Sequence, residues 1–165
     1  MIVVSNASPL ILLPKLAHLD LLSRLFNEIV ISQEVWDEVV VKGAGLPGST
    51  EVRQAAWIRL EQLKNASPLA VWQNQYNLGL GELSTILLAN EIAADLALID
   101  ERRARLLARA EGVAPLGTVG VLELGYRKGE IADLRQIYQT LLAQGAWIDK
   151  RVINQSLAAC NLPLL

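Results

Sequence analysis

Residues 2–9 read Ile2-Val3-Val4-Ser5-Asn6-Ala7-Ser8-Pro9, an apolar β-branched run that stops in a cluster of turn formers. Such a run, too short for a helix and without polar alternation, is a buried strand followed by a loop. Working outward, the same signature recurs along the chain. Glu28–Ile31 is a second short run, another strand lies near Trp57–Leu63, Asp95–Ile99 ends in Asp100, and Val113–Leu116 comes last.

The segments between these runs have helical patterns. Leu10–Phe26 reads as one helix with Leu16, Leu19, Leu22 and Leu25 at three-residue spacing. Ser32 is placed to cap a helix reaching about Val41, and Ser67 to cap another with Pro68 at its first position. Gly79-Leu80-Gly81-Glu82 opens a helix through Ile92, and Glu101–Glu111 is a charged helix closed by Gly112. Gly117-Thr118 starts the next, and two amphipathic helices, about Asp133–Gln144 and Asp149–Cys160, follow. Lys42–Thr50 is a Gly/Pro-rich loop, read as a mobile segment or an insertion. Strands that alternate with helices predict an α/β fold with a central parallel sheet and helices on both faces.

The chain has 165 residues, a length that suits one domain over 1–165. It is 52% hydrophobic with a mean hydropathy of +0.32, which predicts a covered apolar surface and hence a homo-oligomer, most simply a dimer. With 15 basic and 17 acidic residues the net charge is −2, so any nucleic-acid contact must come from a local patch or from metal ions. One Phe and three Tyr argue against an aromatic stacking platform. Cys160 is the only cysteine, which excludes an internal disulfide and fits a reducing, cytoplasmic setting. No apolar stretch is long enough for a membrane span.

In an open parallel sheet, ligands bind beyond the carboxyl ends of the strands. Asn6 follows the first strand there and Asp100 a later one. Glu38 lies about two turns into the helix after the second strand, and Glu82 opens the helix that leads to the Asp100 strand. Gathered at one crevice, such oxygen donors repel one another unless a cation neutralises them. A hard divalent ion such as Mg²⁺ suits an oxygen-only donor set.

Five short motifs, in order over about Ile2–Leu122, resemble those of the PIN-domain family. They are Val4-Ser5-Asn6-Ala7-Ser8-Pro9-Leu10-Ile11, Trp36-Asp37-Glu38-Val39, Gly79-Leu80-Gly81-Glu82-Leu83, Leu98-Ile99-Asp100-Glu101-Arg102-Arg103-Ala104-Arg105 and Gly117-Thr118-Val119-Gly120. The resemblance implies a three-layer α/β/α core over about 1–125 with additional C-terminal helices over about 126–165, like those of one bacterial and archaeal subfamily. It implies a Mg²⁺- or Mn²⁺-dependent endoribonuclease akin to the VapC-type toxins, with RNA as substrate and a small antitoxin protein as partner. Glu38, Glu82 and Asp100 would be catalytic metal-binding carboxylates, with Asn6 in the first acidic position. Ser8 would support the first loop, while Arg105 and Thr118 would meet substrate. The family generally has Asp where this chain has Asn6. A neutral amide still offers a carbonyl oxygen but removes one negative charge, so the alternative is a catalytically weak or inactive module that binds RNA or a protein partner.

Arg102, Arg103, Arg105 and Arg109 crowd the helix beside Asp100. They read either as phosphate contacts or as a solvated face paired with Glu101 and Glu111. Trp36, Trp57, Trp72 and Trp147 read most simply as core or interface residues. His18, the only histidine, reads as structural or merely exposed.

Overall fold

Five strands form in the computed structural model, which describes residues 1–165: β1 (Val3–Ser5), β2 (Ile29–Ser32), β3 (Ile58–Glu61), β4 (Leu96–Leu98) and β5 (Pro115–Leu116). They make one all-parallel sheet in the order β3-β2-β1-β4-β5. Side chains alternate across a strand, and this sheet uses both faces. Val3, Ile29, Ile31 and Leu98 point into one apolar cluster, while Val4, Val30, Ala97 and Ile99 point into another. The continuous apolar runs in the sequence are therefore strands with helices above and below.

On the first face lie α1 (Ala7–Lys15), α2 (Leu21–Phe26) and α4 (Ser49–Gln54), together with α8 (Thr118–Arg127), α9 (Leu134–Ala143) and α10 (Lys150–Ala159). The second face is covered by α5 (Ser67–Gln75), α6 (Leu80–Glu91) and α7 (Arg102–Ala110). The fold is thus a three-layer α/β/α sandwich. Right-handed crossovers are the rule for parallel strands, and they put connections that run in opposite directions along a sheet on opposite faces. Moving from β1 to β2 and on to β3, the chain keeps its helices on one face. Returning past β1 to β4 and β5, it places them on the other. The reversal leaves a switch point between β1 and β4.

The helix expected over Leu10–Phe26 is two helices, broken at Leu16–Asp20 with Ala17 at φ 56°. Leucines at every third residue fall steadily behind a turn of roughly 3.6 residues. A single straight helix would rotate them off the core, and the break returns Leu19 and Leu22 to burial. Ser32 caps as expected, its Oγ accepting from Val35 N at 3.1 Å. The helix it starts, α3 (Gln33–Trp36), continues directly into a π-helical segment, Asp37–Lys42. Ser67 is the first helical residue of α5, not its cap, because Asn65 Oδ1 takes the Ser67 N–H at 3.1 Å. No helix is long and apolar enough to cross a membrane.

Candidate active site

The switch point brings the ends of β1 and β4 side by side, with Ser5 in register with Leu98 and Asn6 N donating to Leu98 O at 2.9 Å. Asn6 is extended and sits at the N-cap position of α1, yet its side chain makes no capping bond. The residue is only 2% exposed, and its Oδ1 is buried with no hydrogen-bond partner. Buried acceptors are nearly always satisfied, so this oxygen is held ready for a partner outside the chain.

What it faces is set by α3 and α6. A Cβ placed on Gly81 would meet Glu38 Oε2 at 2.7 Å and Asn6 Oδ1 at 2.9 Å. The two oxygens therefore converge over a residue that has no side chain to separate them. Glu82 is the next residue, and it shares with Glu38 an open cavity of about 480 Å³. Partial burial raises the Glu38 pKa, the Glu82 charge raises it further, and Lys42 acts the other way. A buried hydroxyl pair fixes the two helices to each other. Ser32 Oγ lies 2.8 Å from Ser84 Oγ, and Ser84 Oγ donates to Gly81 O at 3.1 Å. The bonds all close when Ser32 donates to Ser84 and accepts from Val35 N.

Asp100 stands one step further along, beyond the end of β4. Its Oδ1 accepts from Thr118 N and its Oδ2 from Thr118 Oγ1, both at 2.6 Å. Burial raises its pKa, while the two Thr118 bonds and the Arg105 charge lower it. A Cβ on Gly117 would lie 3.1 Å from Asp100 Oδ1 and 3.2 Å from Arg105 Nη1. Gly117 thus leaves open the space between carboxylate and guanidinium. Asp100 and Arg105 line a second cavity, of about 680 Å³, bounded by α7, α8 and the start of α10.

Of the residues singled out in the sequence, Asn6 and Glu38 bring their oxygens together over Gly81, and Glu82, whose carboxylate lies against Gly79, shares a cavity with Glu38. Asp100, Thr118 and Arg105 come together around Gly117, and Asp100 and Arg105 line a separate cavity that shares no residue with the first. Ser8 lies in the first turn of α1, partly buried. No group of three or more Asp, Glu, His or Cys side chains gathers closely enough to hold a metal. The donors over Gly81 are mixed instead, an unpartnered amide oxygen beside the Glu38 carboxylate, with Glu82 in the same cavity as Glu38. An all-oxygen set of this kind fits Mg²⁺ or Mn²⁺ and would not suit a soft ion.

Sequence reasoning missed Glu34 and Asp37, which line the same cavity as Glu38. Asp37 accepts from Gln33 Nε2 at 2.8 Å, and Glu34 Oε2 is buried without a partner. The signal that could have found Glu34 was its four-residue spacing from Glu38, which puts both on one helix face. Among the arginines of α7, only Arg103 pairs with a carboxylate, Glu101 at 3.9 Å. Trp147 is not a core residue: it is fully exposed, in the loop before α10. Composition alone did not separate it from Trp36 and Trp57, which pack against the core, or from Trp72, which packs edge-on to Tyr76.

A family model described as a PIN domain matches residues 2–161. Comparison with curated proteins and with solved structures gave no match.

Proposed function

Because the chain belongs to the PIN-domain family, whose members are generally metal-dependent nucleases, we propose that it is an endoribonuclease using Mg²⁺ or Mn²⁺. The observation that carries this reading is the orphaned Asn6 oxygen meeting a Glu38 carboxylate oxygen over Gly81. Asn6, Glu38 and Glu82 would hold the cation, with Asp100 completing the rim from the neighbouring strand. A divalent ion there supplies positive charge against a phosphate and acidifies water.

The chain's own groups do the rest. Thr118 holds the Asp100 carboxylate in one orientation through two bonds, so it need not reorganise when substrate arrives. Arg105 presents its guanidinium beside Asp100, where it can donate to a phosphate oxygen. Ser8, in the first turn of α1, would support the loop that carries Asn6. Exposed Leu80 borders the acidic cavity, and exposed Val41 and Leu46 follow Glu38 along the chain. This apolar surface would suit a small antitoxin protein or a second copy of the chain. In this reading the chain is a single domain over 1–165 and the toxin of a cytoplasmic toxin–antitoxin pair.

Incubation of purified protein with mixed RNA and Mn²⁺ tests the proposal. Cleavage is expected, and Asp100→Ala should abolish it. By calorimetry, Glu82→Gln and Asp100→Asn should each weaken divalent-ion binding while leaving the fold intact. If no divalent ion supports cleavage, the second reading takes its place, a module that binds RNA or a protein without cutting. The neutral amide of Asn6 is the observation that favours it.

A further inference from the structure

The larger cavity carries more than Asp100. Arg102, Arg105 and Arg109 fall on one face of α7 at three- and four-residue spacing, and all three line it. Arg102 and Arg109 have no carboxylate partner, while Arg105 faces Asp100 across Gly117 and keeps its Nε buried without any hydrogen bond. Acidic groups at the same cavity are already engaged. Glu101 caps α7 through Ala104 N, Glu123 pairs with Arg127 at 2.9 Å, and Asp149 pairs with Arg151 at 2.8 Å. Two unpaired cations, flanking a third that stands beside Asp100, form a local basic wall in a chain of net charge −2 and can take an anion.

Across from them stands Trp147, whose indole borders the cavity and is fully open to water. A bare aromatic ring beside a row of arginines matches the two halves of a nucleotide, a flat base and a phosphate. At about 680 Å³ the space is within the range of small-ligand sites, roughly 300–1,000 Å³.

We infer that this cavity is a nucleotide subsite for single-stranded RNA, with a base stacked on Trp147 and the flanking phosphates held by Arg102, Arg105 and Arg109. A strand seated there leads directly to Asp100, which lines the same space. The assignment deepens the nuclease reading and rests on it only for where the strand goes next, since the binding itself requires no cation.

The test is fluorescence anisotropy with a short labelled single-stranded RNA, in EDTA so that nothing is cut. Trp147→Ala should weaken binding about tenfold and Trp147→Phe much less. Trp147 is fully exposed, so its removal leaves the fold unchanged, as a matched melting temperature would confirm. Arg102→Gln with Arg109→Gln should flatten the dependence of log K on log salt by about 0.7 for each phosphate no longer neutralised. Unchanged RNA affinity in Trp147→Ala overturns the inference, as does a mononucleotide that competes as tightly as the strand. So does a variant whose self-association fails while its RNA binding persists, because Trp147 would then be a protein contact. If Trp147-dependent binding is seen and no divalent ion yields cleavage, the subsite stands and the nuclease reading falls.

Discussion

An asparagine at the start of a helix usually turns its side-chain oxygen onto the free N–H groups of the first turn, an interaction that contributes about 1 kcal/mol. Asn6 forgoes it and leaves the oxygen buried over Gly81. Asn6→Asp should therefore tighten Mn²⁺ binding about tenfold in calorimetry, since ligand charge sets affinity for hard cations. Gly81→Ala should do the opposite, because its methyl would occupy the point where the Asn6 and Glu38 oxygens meet. Glu38 and Asp100 both have pKa values raised from their ordinary values, with burial the largest cause. A carboxyl with a raised folded pKa holds its proton more tightly folded than unfolded. Its ionisation then costs stability as pH rises from the ordinary carboxylate range through the raised value, and the cost is complete above that. Melting curves without metal should accordingly show these two groups disfavouring the fold at neutral pH. Added Mn²⁺ should raise the melting temperature there and lose its effect as the pH falls through that window. Asn6, Glu38, Glu82 and Asp100 were legible as residues in motifs. Glu34 was legible only as a helix-face neighbour of Glu38, which lies four residues on, since no pattern of letters reveals that its carboxylate oxygen is buried and unpartnered.

Among the contacts between α3 and α6, the helices that lead into Glu38 and carry Glu82, is one buried hydroxyl pair, Ser32 with Ser84. Ser84→Ala would leave the buried Ser32 hydroxyl without an acceptor, at a cost of about 1–3 kcal/mol. Urea denaturation should register that cost. Calorimetry should show weaker cation binding as well, because α3 and α6 would no longer be fixed to each other. A variant with lower stability and unaltered affinity would show that the pair merely supports the fold. Element types were readable because strands and helices carry different apolar periods, and all five strand sites fall where those runs predicted. Finer structure was not readable. The break at Ala17 depends on burying leucines that a straight helix would expose, and the π-helical segment Asp37–Lys42 has no pattern of its own. Widened helical turns of this type recur at functional sites, and this one contains Glu38.

Beyond the sheet, the C-terminal helices are fastened by Tyr138. Its hydroxyl lies 3.2 Å from Val119 O and 2.7 Å from Ser156 Oγ, linking α9 to α8 and α10. Burial raises the phenol far above its ordinary pKa, so it stays neutral throughout the working range of pH. Tyr138→Phe should cost about 1–2 kcal/mol, a fall of a few degrees in melting temperature, with RNA cleavage at low temperature unaffected. The α/β class could be read from the alternation of runs, but the strand order could not. Apolar runs state that a strand is enclosed but not beside which neighbour it lies, and the right-handed crossover rule narrows the possible orders without choosing the observed one, β3-β2-β1-β4-β5. In that order the central strand is the first one made. Residues 3–5 remain open along one edge until residues 96–98 arrive to pair with them. A chain still emerging from the ribosome thus lacks the rim between β1 and β4 until well over half of it has been synthesised. Whatever that rim can do to a nearby RNA, its own message included, is withheld from every shorter translation product.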